Sequence, residues 1–578
     1  MFNDLKIKFN NYIKENFTLV SYHLLLNTDS NKKDFGDLNS NIAMQLAKVL
    51  KKNPNSVAQE IVLNFKHEAL EKIEIAGPGF LNFFLKEISF KDLAITVLKE
   101  QESAFKTAHK SQKISLEFVS ANPTGPLHIG HGRGAIIGDV LANIWIFLGH
   151  QVTKEYYIND AGAQIGKLGR SLKVRIEQQQ GLDSVLQEDA YHGEYLIDLA
   201  IEYLEKYNRS LSKPINNSLK ERIGPVGPVS LEIAYNAIVG LYEKSNSLDD
   251  NLITNFAKEK LLELICQTLS EYGIDFDVWF SEQSLHSSGV IQKSIQKLTN
   301  KNHTFEHEGS LWFRSTTFGD DKDRVIVKQN GELTYVAADI AYMQNKIDRG
   351  ADRLVMILGH DHHSYVTRLK ALQQAMGLEE YQFDIILYQL VKIQKGGERV
   401  RMSKRSGNSI MLQDVIATIG KDAARFFYLN RKADADLDLD LDLALQKSET
   451  NPVFYVQYAC VRIKSVLERA EQFSFFLDIN QVDIANLDVS IINEKELIKK
   501  MYQLQELLEQ IAENFQTHLL AYYTIELAHC LHSYYSKNRI INPADIIGTR
   551  MRIGVLKTCK IAFETAFKLL GISCPDKM

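Results

Sequence analysis

The sequence has few cysteines and no long apolar run. None of its five cysteines forms a Cys-x-x-Cys pair with another, which argues against a structural zinc site. An odd number of widely spaced cysteines is typical of reduced thiols in a cytosol. No apolar stretch reaches the roughly 20 residues that a membrane helix needs. We therefore expect an intracellular protein that has no membrane association and no tightly bound metal.

The chain also lacks a marked excess of charge and a secretory signal. Its 67 Lys and Arg against 72 Asp and Glu give a net charge of −5, which argues against a broadly basic nucleic-acid-binding surface. Any contact with RNA must therefore come from local basic faces. Residues 1–6 lack the basic and apolar blocks of a signal peptide, so we expect a cytoplasmic protein. A length of 578 residues exceeds what one hydrophobic core supports, and several domains are expected.

The most informative segment is residues 116–132, in which an apolar run leads through a Pro/Gly-rich turn to His128-Ile129-Gly130-His131. We predict a strand over 114–119 and a helix over 128–147. Gly130 allows a ligand to approach the backbone, where the positive end of the helix dipole would also point. Histidines three residues apart lie on one helical face. The segment therefore predicts a phosphate-binding site with two imidazole donors.

A second segment, residues 395–408, is glycine-rich at both ends and basic throughout. It contains Met402-Ser403-Lys404, and we expect it to close over a triphosphate. Activation of an amino acid as an adenylate depends mainly on positioning and electrostatics. Together, the two segments predict that His128, His131 and Lys404 catalyse such a reaction.

The rest of the chain divides into three regions by pattern. Residues 1–105 have the mixed pattern of a small α/β domain, with a capping box at 56–59 and a polar linker at 99–113. Residues 106–448 alternate between strand-like and helix-like segments, as a parallel sheet does, and carry helical insertions at about 167–271. Residues 449–578 are helical in pattern. The run at 434–442 alternates Asp with Ala or Leu and predicts a half-exposed strand rather than a calcium loop.

These two segments, called the first and second signature below, resemble the two signature motifs of class I aminoacyl-tRNA synthetases. Their surroundings resemble the bacterial-type arginyl-tRNA synthetases. The resemblance extends over essentially the whole chain. It rests on the segments at 34–37, 41–44, 76–80, 120–134, 157–162, 451–459 and 575–578. It implies a Rossmann-like catalytic domain of parallel sheet and helices, preceded by an α/β domain that contacts tRNA and followed by an all-helical domain that binds the anticodon.

The resemblance also implies a reaction and a set of site residues. L-arginine, ATP with Mg²⁺ and tRNA(Arg) would be the substrates of a monomeric enzyme that forms an arginyl-adenylate and releases AMP and pyrophosphate. The residues implied to bind ATP are Pro123, Gly125, His128, Gly130, His131, Gly359, His360, Asp361, Met402, Ser403 and Lys404. Those implied to bind arginine are Glu117, Asn122, Glu282, Tyr335 and Asp339. Arg401 and Arg405 depart from the lysine and serine of the family's second signature.

Each of these assignments has a simpler alternative. In most proteins, two such histidines are ordinary residues at the start of a helix. Likewise, such a lysine is an ordinary surface residue, and such carboxylates are simply solvated. His360, His362 and His363 invite a metal hypothesis, but adjacent histidines usually point apart. Two functional alternatives remain open at this point, namely a class I synthetase for another amino acid and a catalytically inactive RNA-binding relative.

Overall fold

A computed structural model describes residues 2–17, 24–28, 34–107, 110–211, 249–399, 410–472 and 492–578. These residues form two compact units, one of residues 1–111, 139–151 and 421–578, the other of residues 112–138 and 152–420. No helix in the described ranges is both long and apolar enough to cross a membrane.

The strands are numbered here in chain order. They are β1 (Leu25–Leu26), β2 (Leu38–Ser40), β3 (Leu70–Ala76), β4 (Phe80–Leu85), β5 (Lys113–Glu117), β6 (Gln151–Ile158), β7 (Val278–Ser281), β8 (Thr304–His307), β9 (Ser310–Phe313), β10 (Arg324–Val327), β11 (Arg353–Gly359), β12 (Gln382–Tyr388), β13 (Val391–Lys395), β14 (Glu398–Arg399) and β15 (Leu437–Asp440).

The helices are numbered in the same way, and short 3-10 turns lie at Gln101–Phe105, Ser315–Phe318 and His360–His362. They are α1 (Phe2–Asn16), α2 (Ile42–Leu50), α3 (Pro54–Asn64), α4 (Glu87–Glu100), α5 (Ile129–Phe147), α6 (Ala163–Gln179), α7 (Tyr195–Leu211), α8 (Asp250–Glu271), α9 (Glu282–Ser287), α10 (Val290–Asn300), α11 (Tyr335–Asp348), α12 (His363–Met376), α13 (Leu412–Ile419), α14 (Lys421–Tyr428), α15 (Leu441–Leu445), α16 (Pro452–Glu471), α17 (Ile492–Asn514), α18 (His518–Lys537) and α19 (Ile546–Leu570).

The first unit combines a small antiparallel sheet with long helices. The sheet has the strand order β1-β2-β4-β3. Phe9 of α1 packs edge-on against Phe65 and Phe83, at 4.9 and 5.2 Å between ring centroids. Within this unit, the buried carboxylate of Asp37 pairs with Lys495 at 2.9 Å and Lys499 at 3.3 Å, both on α17. An ion pair of this kind satisfies charges that would be costly to bury alone.

The second unit contains a five-stranded sheet of order β12-β11-β5-β6-β7. The pairs β11–β12, β5–β11 and β6–β7 are parallel. Of these five strands, β5 is the earliest in the chain, yet it lies in the middle of the sheet. The strand order therefore reverses at β5. In an open α/β sheet, ligands bind beyond the carboxyl ends of the strands at such a reversal. We therefore expect a ligand site among the residues that follow β5, β6, β7 and β11.

Most of the predicted elements are present in the structure. The strand predicted at 114–119 is Lys113–Glu117, and the helix predicted from 128 starts one residue later at Ile129. The Rossmann-like parallel sheet, the N-terminal α/β region and the helical C-terminal region are confirmed. The described parts of the helical insertions predicted at about 167–271 correspond to α6, α7 and α8, which pack around a shared apolar cluster that includes Leu168, Leu196 and Phe256. Residues 212–248 lie outside the described residues.

Two local predictions were wrong, and a third was confirmed only in part. α3 is capped by Asn53, whose Oδ1 accepts from the backbone N–H of Asn55 at 2.9 Å, and not by a capping box at 56–59. Pro54 favours this earlier start because proline suits the first helical position. The predicted linker at 99–113 contains a 3-10 turn with Phe105 fully buried. The half-exposed strand predicted for the alternating Asp run is confirmed over Leu437–Asp440, and it ends there because Asp440 caps α15 by accepting from Leu443 N–H at 3.0 Å.

Candidate active site

The chain turns sharply immediately after β5. Val119 and Ser120 have φ values of +66° and +38°, a left-handed conformation that is unfavourable for a β-branched residue. The Ser120 hydroxyl donates to Oε1 of Glu117 at 3.1 Å and accepts from the backbone N–H of Tyr157 at 3.0 Å. These two bonds attach the turn to β5, which it follows, and to β6. The strain thus lies at the reversal point of the sheet, where a ligand is expected.

The two histidines of the first signature stack at the start of α5, with 3.8 Å between ring centroids. Nδ1 of His128 accepts from Gly130 N–H, and Nδ1 of His131 accepts from His128 N–H, both at 3.1 Å. In the neutral ring, a nitrogen that accepts leaves the proton on the other nitrogen. Each Nε2 is therefore a hydrogen-bond donor, as a phosphate-binding role requires.

Glycines let α5 pack closely beneath this site. A Cβ at Gly134 would lie 2.6 Å from the ring of Tyr388, and one at Gly138 would lie 2.4 Å from the ring of Phe118. Real Cβ atoms do not approach other atoms so closely, so both positions exclude a side chain without rearrangement. The helix start is consequently held near the ends of the strands.

The chain that follows the second signature lies next to the first signature. Met402, Ser403 and Lys404 lie outside the described residues. Immediately beyond them, the carbonyl of Ile410 accepts from Ile129 N–H at 3.3 Å, and Leu412 N–H donates to the carbonyl of Leu127 at 2.8 Å. Residues 410–412 are therefore attached to the residues at the start of α5.

Several other residues implied to bind ATP or arginine differ in how exposed they are. Pro123 is buried, whereas Asn122 is exposed and donates to Oε1 of Gln164 at 2.8 Å. A Cβ at Gly125 would lie 3.4 Å from the Tyr195 hydroxyl. Gly359 ends β11 and is partly buried, and the exposed residues His360 and Asp361 follow it.

The histidines after β11 do not form a metal cluster among the described residues. Rings of His360 and His363 lie 6.0 Å apart between centroids. Across the described ranges, no group of three or more His, Cys, Asp or Glu side chains is placed to hold a metal ion.

Two buried carboxylates, Glu282 and Asp339, lie close enough to affect each other's charge, and their surroundings are called the pocket below. Glu282 begins α9 directly after β7, and Asp339 lies on α11. Asp339 Oδ1 accepts a short hydrogen bond from the Tyr365 hydroxyl. Among the described residues, Asp339 Oδ2 and Glu282 Oε2 have no hydrogen-bond partner although both atoms are buried. A buried, unpartnered carboxylate oxygen is costly unless a ligand supplies a donor.

The protonation of these carboxylates reflects their burial. Burial raises the pKa of Asp339 to about 7, against the opposing effects of the Tyr365 hydrogen bond and the Arg368 charge. Burial also raises the pKa of the Glu282 carboxyl, while hydrogen bonds from Tyr157 and His286 oppose the rise. A bound cation would favour the ionised form of both groups. The pocket is therefore suited to a cationic ligand with several donors.

The other residues implied to bind arginine differ in their surroundings. Glu117 is buried, and its Oε2 pairs with the buried Lys346 at 2.5 Å. Tyr335 starts α11 one turn before Asp339, but its side chain is 54% exposed. Its hydroxyl lies near Gly162, where an added Cβ would be 3.5 Å away. The structure thus places Asp339 and Tyr335 on one helix, with only Asp339 enclosed.

Sequence reasoning missed several residues of the pocket. Tyr157, Tyr365 and Arg368 act on the two carboxylates, and Lys346 neutralises Glu117. Lys346 lies seven residues after Asp339, which places it on the same helical face, so the spacing carried a signal. Tyr365 and Arg368 follow the histidine cluster on α12 and had no comparable signal, because only the tertiary fold brings α12 against α11.

Comparison with known families supplies independent information. Residues 94–434 match the model described as "tRNA synthetases class I (R), catalytic domain". Residues 3–85 match "Arginyl tRNA synthetase N terminal domain", and residues 456–578 match "DALR anticodon binding domain".

Curated relatives and solved structures agree with these matches. The chain is 39% identical to arginine--tRNA ligase 1 of Halalkalibacterium halodurans over 95% of this chain and 93% of that protein. It is also 39% identical to the arginine--tRNA ligase of Bacillus subtilis, over 94% and 93%. A structure of a putative arginyl-tRNA synthetase from Campylobacter jejuni has 32% identity and a TM-score of 0.72, covering 86% of this chain and 100% of that one. The Thermus thermophilus arginyl-tRNA synthetase, at 19% identity, shares the fold with a TM-score of 0.75 over 100% of both chains. The chain belongs to the arginyl-tRNA synthetase family of class I aminoacyl-tRNA synthetases.

Proposed function

We propose that this protein attaches L-arginine to tRNA(Arg) for protein synthesis. In the first step, the arginine carboxylate attacks the α-phosphorus of ATP, forming arginyl-adenylate and releasing pyrophosphate. In the second step, a ribose hydroxyl at the tRNA 3′ end attacks the arginyl carbonyl and releases AMP. ATP enters as its Mg²⁺ complex, so the cation is part of the substrate.

The observation that carries the choice of arginine is that Glu282 and Asp339 each have a buried carboxylate oxygen with no hydrogen-bond partner among the described residues. A guanidinium is planar, remains charged at any physiological pH and presents five donors, so it can satisfy two carboxylates at once. A lysine ammonium is a compact point charge and fits two separate acceptors less well. Tyr335, the first residue of α11, would complete the pocket around the guanidinium.

The α-amino-acid end of the substrate is assigned to Glu117 and Asn122. Both side chains already have a protein partner, Lys346 and Gln164 respectively. Binding of the substrate ammonium by either residue therefore requires a partner to be shared or exchanged. The strained turn at Val119 and Ser120 lies between these two residues.

The phosphates of ATP are assigned to the start of α5. His128 and His131 would donate through Nε2 to phosphate oxygens, and the helix N-terminus would stabilise their charge. Lys404, from the second signature, would approach the β- and γ-phosphates as pyrophosphate leaves. Gly130, Pro123, Gly125, Met402 and Ser403 would line the nucleotide, with Gly359, His360 and Asp361 on the adenosine side.

The domain roles are proposed on the same basis. Residues 1–105 would contact tRNA, residues 106–448 would carry out catalysis and residues 449–578 would bind the anticodon, in line with matched family regions at 3–85, 94–434 and 456–578. We also propose a cytoplasmic monomer without membrane association. Its five cysteines are free thiols in the structure, as suits a reducing compartment.

Arginine-dependent ATP–pyrophosphate exchange, with and without bulk tRNA, tests this proposal. Exchange that requires both arginine and tRNA supports an arginyl-tRNA synthetase in which tRNA permits activation. Exchange without tRNA supports the enzyme and rejects that requirement. If arginine supports no exchange in either condition, the proposal fails; a panel of the other amino acids then distinguishes another class I synthetase from an inactive RNA-binding relative.

A further inference from the structure

The chemistry around Asp339 is asymmetric, and this asymmetry points to a residue with no assigned role. Oδ1 of Asp339 accepts from the hydroxyl of Tyr365, whereas Oδ2 is buried and has no partner among the described residues. Tyr365 lies near the start of α12, on an element separate from the helix that carries Asp339. One oxygen is therefore occupied by the protein and the other is left for a ligand.

We propose that Tyr365 is a positioning residue for arginine, holding the Asp339 carboxylate so that its second oxygen faces the guanidinium. This inference rests on the proposed function. A carboxylate on a short side chain rotates about one bond, and a fixed hydrogen bond to one oxygen defines the direction of the other. Orientation matters because bidentate recognition of a guanidinium requires coplanar groups.

The hydroxyl also affects the charge of the carboxylate. A donor to the ionised form lowers the pKa of a carboxyl group, and Tyr365 opposes the rise that burial causes in the pKa of Asp339. The reverse effect is present as well, because burial and the adjacent Asp339 charge keep the pKa of the Tyr365 phenol well above its usual value. Tyr365 therefore remains a proton donor at physiological pH.

Other charges face Asp339 from the elements packed around it. Arg368, one turn beyond Tyr365 on α12, favours the ionised form, and Glu117 of β5 and Glu282 of α9 oppose it. The cavity beside Asp339 is also lined by Lys346 and Tyr342 from its own helix. Lys346 is paired with Glu117 and Tyr342 donates to Glu155. Of these groups, Tyr365 makes the hydrogen bond that fixes Asp339.

Replacement of the hydroxyl alone tests the proposal. We expect Tyr365→Phe to raise the KM for arginine in tRNA aminoacylation about tenfold. This is the change in affinity that the loss of one hydrogen bond to a charged group produces. The KM for ATP should stay within twofold. We also expect the pH below which the arginine KM rises to move upward, because Asp339 loses the donor that favours its ionised form. A purely structural role for Tyr365 would not move this pH.

Two further variants separate the proposed role from misfolding. Tyr534→Phe removes another buried hydroxyl that donates to a carboxylate, that of Glu494 at 3.0 Å in the first unit, and it should leave the arginine KM unchanged. In an Asp339→Asn background, Tyr365→Phe should change the arginine kcat/KM less than twofold, because the two residues act as one unit.

The outcomes are distinct. An unchanged arginine KM in Tyr365→Phe, a parallel rise for ATP, an unshifted pH dependence or full additivity with Asp339→Asn would each overturn the positioning role while leaving the proposed function intact. Failure of the unmodified protein to charge tRNA with arginine would overturn both.

Discussion

Replacement of Asp339 by asparagine gives the most direct prediction about substrate choice. The substitution keeps the shape of the side chain and the oxygen that accepts from Tyr365. It removes the negative charge and can turn an N–H donor toward the guanidinium, itself a donor. We therefore expect a large loss in arginine binding and a small one in ATP binding.

The size of the loss follows from the burial of the site. Truncating one partner of a buried, hydrogen-bonded charge pair costs about 2–5 kcal/mol. Burial raises the pKa of Asp339 in the free protein to about 7, so ionising it near neutral pH offsets only about 0.5 kcal/mol. A net loss of about 3 kcal/mol corresponds to a rise of about 150-fold in the arginine KM.

The stability of the variant provides an internal control. A carboxyl whose pKa is raised on folding stabilises the protein at low pH, and this contribution is lost as pH rises through the folded-state pKa of about 7. Asparagine does not ionise, so at pH 8 the variant should unfold at a temperature no lower than the original protein. Low activity with normal thermal unfolding would then reflect the pocket rather than the fold.

The assay is tRNA aminoacylation with arginine and ATP varied separately. Asp249→Asn is a matched control, because Asp249 caps α8 through Oδ1 at 2.9 Å from Asn251 N–H, a bond that asparagine can also accept. Equal losses for arginine and ATP, or an arginine KM within threefold of the original, would refute the placement of Asp339 against the guanidinium.

Three further predictions concern catalysis, pH and stability. Lys404→Ala should slow arginine-dependent pyrophosphate exchange by about 2–4 kcal/mol in activation free energy, the effect of losing one preorganised charge donor; near-normal exchange would exclude its assigned role. The arginine KM should be constant above pH 7 and rise as pH falls below it, because burial raises the pKa of Asp339 to about 7 and guanidinium binding requires its ionised form; a flat profile from pH 6 to 8 would contradict this linkage. Arg425→Met should cost about 3–5 kcal/mol of unfolding free energy, since it leaves the buried Asp139 without the guanidinium that donates to it at 2.6 Å, and urea unfolding that shows less than 1 kcal/mol would refute that estimate.

The extent to which sequence predicted the fold depends on how local each signal is. The run at 114–119 predicted a strand because it has its own hydrophobic pattern, independent of neighbours. The polar linker at 99–113 was mispredicted because Phe105, which is buried, is an apolar residue in a polar stretch. Its burial depends on a surface formed by distant parts of the chain, which a local pattern does not contain.

The same distinction applies to the site. His128, Gly130 and His131 lie within four residues, so their common position at a helix start followed from spacing. Asp339 and Tyr335 were also one helical turn apart by sequence, yet only the structure shows Asp339 enclosed and Tyr335 exposed at 54%. Burial is set by elements packed from elsewhere, and spacing alone does not report it.

The sequence by itself determined the chemistry that this protein carries, because the two signatures, the lack of zinc-type cysteine pairs and the order of its regions are local properties of the chain. The tertiary structure decided how that chemistry is organised. Parallel pairing places β5 in the middle of the sheet, and packing of α12 against α11 brings Tyr365 to Asp339. Enclosure then leaves one oxygen of Glu282 and one of Asp339 without a donor in the part of the chain that the structure describes. Electrostatic strength depends on burial and on partners distant in sequence, so the charge state of the pocket exists only in the folded molecule.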